Sequence, residues 1–83
     1  MRNTQLLSEA ASDYEFVRQN LEYLRQHWRE QPSLEGLAER NGLSAAHLQR
    51  LFMRWAGLSP KAFVQALTID HARKLLRDSA SVL

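Results

Sequence analysis

Residues 34–58 read LEGLAERNGLSAAHLQRLFMRWAGL, and the fold is decided there. Leu34, Leu37 and Ala38 recur at helical spacing before a glycine, and Leu48, Leu51, Phe52 and Trp55 do so after it. Gly42 stands where a chain leaving a helix commonly takes a positive φ, which glycine adopts at little steric cost. Ser44 is placed to cap the next helix by accepting from its first-turn amides. Ala38 is small where two helices must cross closely. A small residue, a glycine turn and a capped second helix are what a helix-turn-helix requires to lay that second helix in a DNA major groove. With about 100° of rotation per residue, Ala46, Gln49, Arg50, Met53 and Arg54 fall opposite the apolar stripe of the helix from about Ala45 to Trp55.

Working outward, Ser12 and Glu15 form a capping-box pair that opens a first helix. Its apolar stripe is Tyr14, Val17, Leu21, Leu24 and Trp28, at spacings of three and four. Residues 1–11 are set apart as a flexible N-terminal arm, whose Leu6 and Leu7 could dock on the body. Gln31-Pro32 ends the first helix, because proline restricts its predecessor and cannot continue the ladder. Ser33 then caps a helix from Leu34 to about Asn41, within which Gly36 costs roughly 1 kcal/mol relative to alanine. Gly57 closes the third helix, and Ser59-Pro60 opens a fourth with serine as cap and proline in the first helical position. The expected fold is all-α: a helix-turn-helix core of three helices plus a long C-terminal linker helix, over residues 12–83. On that last helix Phe63, Val64 and Leu67 face the core, while Ile69, Ala72 and Leu76 form a displaced second apolar face. Two such faces bridge two bodies, so the chain reads as stopping where a second unit would begin.

Eighty-three residues make one small domain, which buries only about 60–65% of its unfolded surface. There is no cysteine, hence no disulfide, thiolate zinc site or cysteine nucleophile within the chain. No apolar run approaches the roughly 18–20 residues of a membrane span, and no signal-peptide core opens the chain, so a cytoplasmic location is expected. The net charge is only +2, but its halves differ: residues 1–39 carry −3 and residues 40–83 carry +5. Between Arg40 and Ile69 there is no carboxylate, while Arg40, Arg50, Arg54 and Lys61 all lie there. A polyanion meets attraction without local repulsion over that segment.

The motifs S-L-x-x-L-A at Ser33–Ala38, G-L-S at Gly42–Ser44, H-L-Q-R-L-F at His47–Phe52, G-L-S-P at Gly57–Pro60 and A-x-x-L-L at Ala72–Leu76 resemble the first half of an AraC-type DNA-binding domain. The resemblance covers about Glu22 to Leu83, and among members it is most similar to the regulatory half of Ada-type proteins, which precedes an alkyl-DNA methyltransferase domain. It implies a bacterial transcriptional regulator, located with the nucleoid, with two helix-turn-helix subdomains joined by a long helix, each reading a successive major groove. This chain would be one subdomain and the joining helix, without the second subdomain or any acceptor-cysteine domain. Thr68 departs from the family pattern, which commonly places a basic residue there.

The resemblance places Gln49 and Arg50 where family members reach base edges. Arginine can fork onto guanine O6 and N7, and glutamine can pair with adenine N6 and N7. Ala46 joins them as a contact to a thymine methyl or as a spacer. Arg40, Arg54 and Lys61 flank this face and are assigned to phosphates, together with Ser44 and His47 at the start of the same helix. Lys61 sits in a first helical turn, where the macrodipole disfavours a cation and a bound phosphate would relieve the conflict. His27, His47 and His71 have no metal-ligand spacing, and no catalytic constellation is visible, so neither metal, cofactor nor enzymatic activity is expected. The expected partners are double-stranded DNA and the second subdomain, with a weak dimer through the exposed apolar face as a further one. The alternative is a helical protein-interaction module that uses the Ile69, Ala72 and Leu76 face, with Gln49 and Arg50 as its rim.

Overall fold

A computed structural model describes the backbone of residues 2–82 and the side chains of residues 8–79. Four helices follow one another, α1 Arg2–His27, α2 Leu34–Asn41, α3 Ala45–Ala56 and α4 Pro60–Val82, with a 3₁₀ turn at Trp28–Glu30 closing α1. No strand occurs among the described residues, and the all-α class is as expected. Three of the serine caps form: Ser33 Oγ accepts from Gly36 N at 3.0 Å, Ser44 Oγ from His47 N at 3.1 Å and Ser59 Oγ from Ala62 N at 3.1 Å.

The fourth cap does not form, and the start of α1 is corrected accordingly. Residues 2–11 continue the helix without interruption, and Ser12 lies inside it. No glycine or proline interrupts Asn3–Ser12, and its leucine, glutamine, glutamate and alanine residues favour the helix. Glu15 turns to Arg18 instead of back to Ser12, in a two-pronged contact of 3.0 and 2.6 Å. The guanidinium holds the Glu15 carboxyl below its usual range. The Leu6 and Leu7 side chains, expected to dock, lie outside the described residues.

The core is a cluster of Leu24, Leu37, Ala38, Leu48, Phe52 and Val64, with Phe16, Leu21, Trp28, Leu43 and Phe63 packed around it. It draws on all four helices, with α3 at the centre: Leu48 and Phe52 are both 0% exposed. Tyr14, expected in the α1 stripe, is instead 54% exposed and meets Trp55 edge-on at 6.1 Å. Asn20, 5% exposed, is buried on α1 beside Val17 and Leu24. Its Nδ2 donates to Phe16 O at 2.9 Å, and its Oδ1 accepts from Asn41 Nδ2 at 2.8 Å. Asn41 Nδ2 also donates to Leu37 O at 2.7 Å, and its Oδ1 accepts from Asn20 Nδ2 at 3.3 Å. This reciprocal amide pair joins α1 to the end of α2.

The end of α1 uses an unexpected device. Gln31 adopts φ 51°, a left-handed conformation uncommon outside glycine. Its backbone N–H and its Nε2 both donate to Trp28 O, at 2.9 and 3.0 Å. Nε2 also reaches Thr68 Oγ1 at 3.2 Å, and that hydroxyl donates to Val64 O at 2.9 Å. The closing turn of α1 is thereby tied to α4.

Two outcomes are expected in denaturant titrations. Phe52→Ala, which leaves a cavity at the centre, loses about 3–5 kcal/mol. Asn20→Leu or Asn41→Leu alone each costs about 1–3 kcal/mol by stranding the partner amide, whereas the double substitution is less harmful than either single one.

Candidate nucleic-acid interface

The path from α2 to α3 is fixed by Gly42, at φ 69° and ψ 26°. Its N–H returns to Glu39 O at 3.2 Å and the next N–H, of Leu43, to Ala38 O at 3.0 Å. This pair of bonds is a Schellman closure, and Leu43 packs against the core beneath it. Gly42 and Leu43 thus leave Ser44 in extended conformation, ready to cap α3. At the other end Gly57, at φ 77°, closes α3 with its N–H on Phe52 O at 3.1 Å. Ala38 is 3% exposed in the α2–α3 contact, where a longer side chain would separate the helices.

With its inner side occupied by Leu48, Leu51 and Phe52, α3 exposes Ala46, His47, Gln49, Arg50, Met53 and Arg54. Gln49 lies on the wall of a cleft of about 500 Å³ between the starts of α2 and α4, which Ser33, Glu35, Ser59, Lys61 and Gln65 also line. The structure therefore brings Gln49 and Lys61 to one place. Arg50 stands exposed one residue on from Gln49. Ser44 Oγ is occupied as an acceptor by His47 N, which leaves its hydroxyl hydrogen free to donate.

Arg40 and Arg54 are held differently. The Arg40 guanidinium lies over the Tyr23 ring at 4.1 Å, and it lines a separate cleft with Glu30 and Gly36 on the α1 side of α2. Arg54 lies 5.4 Å from the Trp55 ring. Both contacts steady the cation by its face while the N–H edges stay available. Among the described residues, ion pairs join Arg18 to Glu15 and Lys74 to Asp70, His27 Nδ1 lies 2.9 Å from Glu30 Oε2, and none of these contacts engages Arg40, Arg50, Arg54 or Lys61.

The histidines are not brought together. His27 stacks on Tyr23 at 4.3 Å, His71 packs on Trp28 at 5.2 Å, and His47 is exposed on α3. Among the described residues no group of histidine, aspartate and glutamate could hold a metal ion, and no helix is long and apolar enough to cross a membrane. Two residues of the cleft escaped sequence reasoning. Gln65 lies one turn beyond Lys61 and was legible from that spacing. Glu35 lies upstream of the carboxylate-free segment and reaches the cleft only through the fold.

Residues 37–83 match the family model described as a helix-turn-helix domain. The uncharacterized HTH-type transcriptional regulator YbfI of Bacillus subtilis is 33% identical over 70 residues, 84% of this chain and 26% of that protein. The HTH-type transcriptional activator RhaS of Citrobacter koseri is 32% identical over 79 residues, 95% of this chain and 28% of that protein. A RhaS of Salmonella is 30% identical over the same length. The chain spans about a quarter of the length of these relatives. No solved structure matches significantly. These relatives are regulators, and they lend no support to the narrower resemblance to Ada-type proteins. The chain belongs to the AraC-type helix-turn-helix family: it is a DNA-binding domain of the kind found in transcriptional regulators.

Proposed function

We propose that residues 12–83 act as the first, sequence-reading subdomain of a cytoplasmic bacterial transcriptional regulator, with α3 in the major groove of double-stranded DNA. The observation that carries this reading is the outer side of α3. It holds Gln49 and Arg50 exposed, contains no carboxylate and borders the cleft that Gln49 and Lys61 both line. Arg50 and Gln49 read base edges, with Ala46 against the groove floor. Arg40, Ser44, His47, Arg54 and Lys61 hold phosphates, Arg40 from the α1 side of α2. The YbfI and RhaS relatives are named as regulators, which supports transcriptional regulation and not an alkylation-repair setting.

Ile69 and Leu76 are 51% and 70% exposed on α4, and with Ala72 they offer a second helix-turn-helix subdomain its seat. By helical angle this face continues along the side of α4 that carries Lys61 and Gln65, so a body seated there stays on the DNA side. One recognition helix covers too few base pairs and phosphates to reach the affinities of about 10⁻⁸–10⁻¹¹ M typical of complete sites.

Fluorescence titration against a duplex enriched from a random pool tests the assignment. Arg50→Ala should cost about 1–3 kcal/mol at one base position and relax preference there. Lys61→Ala should weaken all sequences alike and reduce the slope of log affinity against log salt by about 1. Equal effects from both substitutions contradict the division of roles. Fusing a second subdomain beyond residue 83 should tighten binding; a chain that already reaches the affinity and selectivity of such a longer protein contradicts the half-domain assignment.

A further inference from the structure

Met53 occupies the middle of the exposed side of α3 and is not among the residues packed on the core cluster. It is 51% exposed, while Leu51 and Phe52 beside it are buried. Measured around the helix axis, Met53 is about 20° from Ala46, with Gln49 and Arg50 to either side. Seven residues after Ala46 is two turns, about 10 Å along the axis. On an ordinary solvated face this position would favour a charged side chain, as Arg50 and Arg54 illustrate nearby. An unbranched thioether there leaves about half of its surface in water.

The major-groove edges of the bases offer one methyl group, the C5-methyl of thymine, among hydrogen-bond donors, acceptors and the C5–H of cytosine. We propose that Met53 is a specificity-determining residue that covers a thymine methyl, at a base pair beyond those reached by Gln49 and Arg50. Side-chain length fits the docking geometry. The start of a recognition helix enters deepest, and there the chain has the short Ala46. Two turns on, where the axis has risen from the groove floor, it has a long and flexible side chain that can adapt its end to a methyl group. This inference rests on α3 being the DNA-reading helix.

The test uses the chain at micromolar concentration and low ionic strength, with duplexes enriched from a random pool. Each thymine of the enriched sequence is replaced singly by deoxyuridine, which pairs identically and lacks only the methyl group. At one or two positions the parent chain should lose roughly three- to fivefold in affinity, the value of one buried methyl group. Met53→Ala should lose a similar factor on the thymine duplex and be indifferent to deoxyuridine at those positions. Met53→Leu should keep most of the affinity and the methyl sensitivity. The assignment of Met53 is overturned if no thymine matters, or if Met53→Ala remains as methyl-sensitive as the parent while Arg50→Ala still alters preference. A pool that yields no enriched sequence overturns the DNA reading itself, and Met53's role with it.

Discussion

Leu48 and Phe52 must be kept from water on a helix whose opposite side stays open, and the other three helices are placed by that requirement. Neither α2 nor α3 is long enough to be stable alone, at 8 and 12 residues. Each persists because it closes over the same apolar cluster, with Leu24 arriving from α1, Leu37 and Ala38 from α2 and Val64 from α4. The glycine turns serve this arrangement. With Gly42 and Gly57 in left-handed conformation, α3 can leave α2 and enter α4 abruptly enough for all three to meet at Phe52.

Polar side chains fix what the apolar cluster alone would leave adjustable. Hydrophobic contact is non-directional, so α1 could slide or rotate on α2 at little cost. The Asn20–Asn41 pair opposes this, because a shift breaks a buried reciprocal contact and strands two amides. Gln31 and Thr68 act similarly between the closing turn of α1 and α4. Thr68 thus has a structural occupation in place of the basic residue common in the family. Its hydroxyl is committed to Val64 O and Gln31, which directs it to packing and not to phosphate.

Local rules made α2, α3, their caps and the start of α4 legible, since the signals for each lie within a few residues. Ser33, Ser44 and Ser59 cap as their positions imply, Gly42 takes the expected left-handed conformation, and Gly57 closes α3 in the same conformation. The start of α1 was misjudged because Ser12 and Glu15 match a capping box equally well inside a helix, and only the absence of an upstream breaker argued otherwise. Asn20 was passed over because an asparagine reads as surface; its burial depends on Asn41, 21 residues away, at the end of another helix. The same limit applies to the interface. Gln49, Arg50 and Lys61 could be placed by helical angle, but the meeting of Gln49 with Lys61 and Glu35 depends on how α2, α3 and α4 pack. Arg40, grouped by charge with the others, lies instead on the Tyr23 side of α2.

Stability and the proposed recognition fall to different residues of one helix. Leu48, Leu51 and Phe52 hold α3 in the fold, while Ala46, Gln49, Arg50 and Met53 have their side chains in solvent. Because 3.6 residues make a turn, a 12-residue helix supplies both sets without sharing a position. The exposed set can therefore change without a packing cost, so specificity can diverge while the scaffold persists. Glu35 fits this division. A carboxylate at the start of α2 suits the helix dipole, yet it lines the same cleft as Lys61 and so adds negative charge where a phosphate would enter. In the proposed DNA complex Glu35 would offset part of the attraction of Lys61, and discrimination would fall to the side chains of α3.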